Sequence, residues 1–391
     1  MKILAVHNHY RQPGGEDELF RQETALLEER GHQVLRFSVR NDGMGEGAGL
    51  GLARDTVWNR RLYRDLRALV RAERPAVAHF HNTFPLISPA AYWAVKAEGV
   101  PVLQTLQNYR LVCPNAMCFR DGRLCRECVG RRIPWPAVLH ACYRESRSAS
   151  AVVAAMLAGH RALGTYQSKV DVYVAPSQFV RERCIEGGLP AARIQVKPNF
   201  AHPDPGLGSG DGDYALFAGR LSPEKGVETL LAAWELLKAP LALKVLGEGP
   251  LAGRVAALAG RDRCVEGLGW RPHAEMIACL RRARLLIVPS VWHEPFPIAV
   301  VEAFAVGLPV IASGLESLSS MVDHGRTGLR FRPGDPEDLA AKIEWTLARP
   351  VELARMRIEA RAEFEARYTG EKNYQRLMEI YETARQVSAA C

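Results

Sequence analysis

The sequence predicts an α/β protein of doubly wound parallel sheets, divided into two domains, and three observations carry that expectation. Short apolar runs at residues 2–6, 77–81, 102–106 and 285–288 recur along the chain, each with the length and lack of breakers of a buried strand. Most are followed by helical periodicity, and strand–helix alternation is the pattern of a parallel sheet covered on both faces. At 391 residues the chain exceeds one ordinary core. Residues 198–213, PNFAHPDPGLGSGDGD, have the proline and glycine content of an interdomain linker.

Composition narrows the class. With 48% hydrophobic and 24% charged residues the chain reads as soluble and globular. Residues 1–6 run straight into a strand pattern with no basic-then-apolar leader. The longest helical apolar run, at about residues 149–158, is too short to cross a bilayer. A cytoplasmic location follows as the expectation, at most peripheral on the inner membrane face. Charge is lopsided: residues 1–200 hold 28 Lys+Arg against 18 Asp+Glu, and residues 201–391 hold 23 against 25. A basic N-terminal half suggests an anionic partner such as a lipid phosphate, a membrane surface or nucleic acid.

In the first half, the opening strand delivers a loop over residues 7–13, and Gly14-Gly15-Glu16 opens a helix to about residue 30. Two glycines allow close backbone approach, so a phosphate or sugar can sit there; a plain strand–helix turn is the competing reading. After a strand at residues 33–39, residues 41–51 are glycine-rich, and mobility is expected of them. A helix over residues 58–71 turns Leu62, Leu66, Leu69 and Val70 inward. Arg60, Arg61, Arg64, Arg67 and Arg71 lie on its other side, with Trp58 and Tyr63 near its edge. Such a face suits an anionic membrane surface, although a solvated face is the commoner explanation. The next strand carries His79, expected inside, and ends at His81 and Asn82, expected at the ligand-binding carboxyl edge. Residues 102–106 deliver Gln107, Asn108, Tyr109 and Arg110 to the same edge.

Five of the nine cysteines then fall within 30 residues. Cys125-x-x-Cys128 is a spacing that zinc uses, and disulfides are not expected in a cytosolic chain. A structural zinc is expected, against loose reduced thiols, and the set Cys113, Cys125, Cys128 and Cys142 is the one implied by chains that this one resembles, in which Cys118 is incidental.

In the second half, a strand at residues 214–218 precedes Gly219-Arg220-Leu221-Ser222-Pro223-Glu224-Lys225-Gly226, with Ser222 placed to cap a helix. Arg220 and Lys225 at a strand–helix edge are positioned to neutralise a diphosphate. Residues 247–252, GEGPLA, imitate a dinucleotide motif only weakly. Residues 265–271, ending in Arg271, read as strand and turn lining a base pocket. Asp211-Gly212-Asp213, at the linker's end, reads as turn chemistry. Residues 289–304, PSVWHEPFPIAVVEAF, follow a buried strand and lead into a helix that should start near Pro297. Two carboxylates bracket this corner: Glu294 in the loop and Glu302 in the helix. The N–H groups of Phe296, Ile298 and Ala299, with the helix dipole, attract phosphate. A carboxylate accepts two O–H donors from one vicinal diol, so the pair can grip a sugar and a ribose.

Glu294-x7-Glu302, Gly219-Arg220-x4-Lys225-Gly226 and the passage QNYRLVCPN together resemble the retaining glycosyltransferases of family 4, over almost the whole chain. The resemblance implies a GT-B fold of two Rossmann-like domains. Residues 1–200 would be the acceptor-side domain, residues 201–369 the nucleotide-sugar domain, and a helix at residues 370–391 would cross back to the first. It implies transfer from a nucleotide-diphosphate sugar to a carbohydrate or lipid-linked hydroxyl, in cell-surface polysaccharide or glycolipid synthesis, with no cofactor needed for chemistry. Arg220, Lys225, Glu294 and Gln107 would be catalytic. Gly14, Gly15, Gly247, Arg271, Phe296, Ile298, Ala299 and Glu302 would join them on the donor. His81, Asn82, Asn108, Tyr109 and Arg110 would face the acceptor. Two departures stand out: Gln107 replaces the usual histidine and carries no proton, and Pro297 removes an N–H that glycine would offer. With no clear nucleophile, front-side displacement is expected, the donor phosphate taking the acceptor's proton. The rivals are a GT-B epimerase or phosphorylase and a basic nucleic-acid-binding protein; no nucleic acid is expected.

Overall fold

A computed structural model describes residues 1–11, 14–41 and 49–390. Residues 42–48, the body of the glycine-rich segment, and residues 12–13 of the first loop lie outside the described residues. The chain divides into two compact units: residues 1–118, 125–198 and 373–391 form the first, and residues 119–124 and 199–372 the second.

The first unit opens with β1 (Lys2–His9), β2 (Gln33–Arg40), β3 (Val77–Asn82) and β4 (Val102–Thr105); the small hairpin that follows in sequence, β5 (Phe119–Arg120) with β6 (Arg123–Leu124), is counted with the second unit. The first unit then resumes with β7 (Val172–Ala175) and β8 (Ile194–Val196). The sheet runs β2-β1-β3-β4-β7-β8, with every pair parallel. β3 and β4 are buried along their whole length, as continuous apolar runs in a doubly covered sheet should be. The hairpin turns on Asp121 and Gly122, at φ 51° and 74°, the left-handed pair that a two-residue loop favours.

The last helix, Gly370–Ala389, returns the chain to this unit from residue 373. Leu377, Ile380, Tyr381 and Ala384 join Ile3, Leu27, Val77, Leu103, Val172 and Val174 in one core cluster. The Tyr381 hydroxyl meets His79 Nδ1 at 3.0 Å, and Lys197 Nζ spans Glu23 and Asn373 at 2.8 and 2.5 Å. Leaving and returning segments are thereby tied through one buried polar network.

The second unit holds β9 (Tyr214–Ala218), β10 (Ala242–Leu246), β11 (Val265–Gly269), β12 (Leu285–Val288), β13 (Val310–Ser313) and β14 (Gly328–Phe331). Its order is β11-β10-β9-β12-β13-β14, all parallel. The expected doubly wound α/β architecture is therefore present twice. Such sheets bind ligands at the carboxyl ends of strands, where the order reverses. That switch point lies between β1 and β3 in the first unit and between β9 and β12 in the second. No helix among the described residues is long and apolar enough to cross a membrane.

Candidate active site

In the second unit the loops leaving β9, β10 and β12 are knitted together by backbone. Gly226 has φ +69°, and a Cβ there would fall 1.9 Å from the Pro289 carbonyl oxygen. Only glycine lets the turn after β9 lie against the chain leaving β12. Gly247 does the same for β10: φ is +137°, and a Cβ would meet Gly219 O at 1.8 Å. Val291 N–H donates to Glu224 O and Leu221 N–H to Glu248 O, at 3.0 and 2.8 Å.

This packing sets Lys225 against Glu294, 69 residues apart in sequence, with Nζ 2.6 Å from Oε2. Glu294 is only 4% exposed, and its Oε1 accepts the Ser290 hydroxyl. The Lys225 ammonium also lies 5.8 Å from the centre of the Trp292 ring. Arg220 does not join this pair. It engages Glu224, which also accepts the Ser222 hydroxyl at 2.7 Å, and its side chain stays 57% exposed at the strand edge. Ser222 thus serves Glu224 rather than capping the helix, as its short 3-10 turn has no side-chain cap.

Glu302 is fully buried and meets a different partner, His273, whose Nε2 lies 2.6 Å from Oε1. The two carboxylates are each committed to a separate cationic or titratable group. Helix Ile298–Ala305 begins one residue later than expected, with Pro297 as its extended cap residue. Its first N–H groups, from Ile298 and Ala299, have no side-chain cap, which leaves the anion-attracting end of the helix unneutralised. Phe296 is half-buried, packing edge-on to Tyr368 at 5.9 Å against the core. Arg271 lies against Glu275 at 3.7 Å on the surface. Sequence reasoning missed His273, Ser290 and Trp292, because a lone residue with no spacing partner gives no signal.

In the first unit, the remaining expected residues collect at the carboxyl edge around an unanticipated pair of acids. Gly14 caps helix Gly15–Glu29, and its N–H donates to Asp17 Oδ2 at 3.0 Å. A Cβ at Gly14 would meet nothing, so local packing does not require that glycine. Glu16 accepts from the Tyr10 hydroxyl at 3.0 Å and from Asn108 Nδ2 at 2.9 Å; burial pushes its pKa up. Asp17 Oδ1 accepts from His7 Nε2 at 2.9 Å and His9 Nδ1 at 3.0 Å. Burial alone would raise the Asp17 pKa, but these bonds and that from Gly14 outweigh it and hold it low. The Arg110 guanidinium lies over the Phe84 and Tyr143 rings at 4.1 and 5.1 Å.

Other expected acceptor-side groups turn inward. His81 is 7% exposed, with Nε2 3.5 Å from Glu23 Oε1. Tyr109 is buried. Asn82 spends its amide on Asn8 O and on Phe84 N–H. Gln107 follows β4 directly and is partly buried.

Of the four cysteines expected to bind zinc, Cys113, Cys125 and Cys142 all lie close enough to bear electrostatically on the Cys128 thiol. Cys113 bonds Asn115 Oδ1 at 2.9 Å, and Cys128 lies 3.9 Å from Pro134 O. Among the described residues, ligand atoms gather only as His7–His9–Asp17 and as Glu23–His79–His81. Asp211 bonds the Ser209 hydroxyl at 2.8 Å, in keeping with turn chemistry.

Two doubly wound parallel sheets in succession are the architecture of the GT-B class, and solved structures agree. The chain aligns over 98% of its length with all of Anabaena HepE in complex with UDP and glucose, at TM-score 0.70 and 17% identity. It aligns over 100% with all of sucrose-phosphate synthase from Thermosynechococcus elongatus, at TM-score 0.68 and 20% identity. At those identities the likeness shows the fold. The family follows from sequence: residues 14–199 match the glycosyl transferase 4-like domain and residues 203–363 match glycosyl transferases group 1. The chain belongs to the group 1 glycosyltransferases.

Characterised relatives are more distant in extent than in identity. Glycogen synthase of Mycobacterium tuberculosis is 32% identical over 177 residues, 44% of this chain and 41% of that protein. The amylovoran biosynthesis glycosyltransferase AmsK of Erwinia amylovora is 28% identical over 222 residues, 53% of this chain and 54% of its own. The match thus spans about half of these relatives' length, or less.

Proposed function

We propose that the chain is a retaining glycosyltransferase. It would move a hexosyl group from a nucleotide-diphosphate sugar to a hydroxyl of a carbohydrate or lipid-linked acceptor, in cell-surface polysaccharide or glycolipid synthesis. The observation that carries this is the Lys225–Glu294 pair at the switch point of the second sheet, 2.6 Å apart. A diphosphate arriving at Lys225 competes with Glu294 for the ammonium. As the ammonium turns to phosphate, Glu294 Oε2 is released to accept a sugar hydroxyl while Ser290 holds Oε1. Arg220 and the N–H groups of Ile298 and Ala299 add positive potential where charge develops on the leaving diphosphate. Glu302, steadied by His273, would take the ribose hydroxyls.

The HepE complexes contain UDP and UDP-glucose, which makes UDP-glucose the first donor to test. Calorimetry with UDP and GDP, followed by NMR of the product's anomeric proton, tests donor class and stereochemistry together. Binding of neither nucleotide would remove the donor site; an inverted product would remove retention. Association with an anionic membrane face is proposed on the three exposed arginines Arg60, Arg61 and Arg64. Zinc at Cys113, Cys125, Cys128 and Cys142 rests on spacing alone, and metal analysis of untagged protein decides it.

A further inference from the structure

The exposed apolar side chains of the first unit are not scattered. Apart from Met1, every exposed large hydrophobic among the described residues of that unit lies on one of three short segments: Leu50, then Ile133, Trp135 and Leu139, then Leu163. Single exposed apolar residues are ordinary, but a group of them set among charges marks an interaction surface. The three segments are joined by contacts. Trp58 stacks on His160 at 5.6 Å, and His160 Nε2 donates to Val57 O at 2.8 Å. Helix Leu50–Val57 is thereby tied to the last turn of helix Arg147–Ala162. The next residue, Arg161, donates to Arg131 O at 2.6 Å, and the Arg131 guanidinium lies 5.6 Å from the centre of the Trp135 ring. Trp135 and Leu139 stand one helical turn apart, with Leu139 N–H on Trp135 O at 3.2 Å, and so share a face.

Beside these contacts the surface opens into a groove of about 510 Å³ lined by Arg54, Val57, Trp58 and Arg60, within the size range of small-molecule sites. Leu50 and Arg54 stand one turn apart on the same helix face. Arg54 is paired with its neighbour Asp55, Nε to Oδ1, at 2.9 Å, but the arginine side chain is 74% exposed. An exposed ion pair is worth little, so a phosphate displaces it at small cost. Charge follows the apolar pattern: residues 50–64, 131–140 and 156–163 hold seven arginines against one acid, Asp55.

We infer that this face of the first unit rests on an anionic bilayer, with Ile133, Trp135 and Leu139 entering the head-group boundary and the groove between Arg54 and Arg60 taking one lipid phosphate. The inference rests on the membrane association proposed above, which named only arginines of helix Arg60–Glu73, and adds to it an apolar contact and a head-group site. Trp135 supplies the amphipathic ring that favours the membrane boundary, whereas Trp58, stacked on His160, serves as a groove wall. Guanidinium groups match phosphate geometry. A second copy of the chain is the competing occupant. Charge argues against it, because a two-fold contact sets the same arginines against themselves, while lipid phosphates neutralise them. The apolar and charged parts act together. Even a single myristoyl chain binds only marginally, so three side chains need the arginines, and salt releases the protein.

Sedimentation of the full-length protein with phosphatidylglycerol–phosphatidylcholine vesicles, against pure phosphatidylcholine, tests the assignment. Arg54→Ala with Arg60→Ala should lower the partition coefficient by about 25-fold, about 5-fold for each arginine near the surface. Ile133→Ser, Trp135→Ser and Leu139→Ser together should lower it by about 10-fold or more, with Tm unchanged because all three side chains are exposed. Brominated lipid should quench the fluorescence of bound protein, and Trp135→Phe should remove most of that quenching. Either combined variant binding as well as the unsubstituted protein, or quenching undiminished in Trp135→Phe, would overturn the inference. So would a dimer in sedimentation equilibrium that the triple serine variant abolishes, which would assign the face to a second copy. Absence of any binding by the unsubstituted protein to the anionic vesicles would instead overturn the membrane association itself, and the inference with it.

Discussion

At the scale of single residues, burial decides which charges are available to a ligand. Glu294 is held by one lysine and one serine, so truncating it removes an aimed acceptor and strands Lys225. Glu294→Ala should reduce turnover by about 10²-fold or more, the loss expected of a positioning group, measured as kcat with the donor the calorimetry identifies. Arg220→Ala should weaken nucleotide diphosphate binding by about 1.5–3 kcal/mol, the worth of a charged hydrogen bond; unchanged calorimetric affinity would refute its place on the diphosphate. Gly226→Ala drives a methyl into Pro289 O at a positive φ. It should separate the loops that bring Lys225 to Glu294, lowering both Tm and nucleotide affinity. The glycine's function was legible in Gly-Arg-x4-Lys-Gly; its physical cause was not, because Pro289 lies 63 residues away in sequence.

Among the elements, helix Gly370–Ala389 and the arginine-rich helix Arg60–Glu73 show opposite degrees of commitment. The first buries Leu377, Ile380 and Tyr381 completely, and Leu377→Ala should cost about 2–5 kcal/mol, read from urea midpoints. The second is less free than its sequence suggests. Arg67 and Arg71 both reach Glu98, at 2.6 and 2.9 Å, while Trp58 stacks on His160 at 5.6 Å. An aromatic packed against its own protein makes a poor membrane anchor. Binding to anionic vesicles should therefore be salt-sensitive and fall when Arg60, Arg61 and Arg64 become alanine. Vesicle binding that survives high salt would contradict an electrostatic origin.

For the whole molecule, stability should depend on pH through buried histidines. Desolvation lowers the His79 pKa from 6.5 to about 4, only partly opposed by Glu23. Folded His79 therefore stays neutral where the unfolded chain binds a proton. The unfolded state gains protons as pH falls through about 6.5, so stability falls from there towards about 4. Urea midpoints measured from pH 7.5 to 4.5 should decline, and His79→Gln should flatten part of that slope. What the sequence alone determined is what repeats or is spaced: the strands at residues 2–6, 33–39, 77–81, 102–106, 214–218, 265–271 and 285–288, the linker composition, and the Gly-Arg-x4-Lys-Gly and Glu-x7-Glu patterns. Periodicity and spacing are local properties that survive without coordinates. Tertiary structure alone decided which charges meet: Lys225 with Glu294, His273 with Glu302, and His7 and His9 with Asp17. It also turned His81 inward. Each of those outcomes depends on how strands order themselves in a sheet and how closely their loops can pack, and neither property is written in any one segment of the chain.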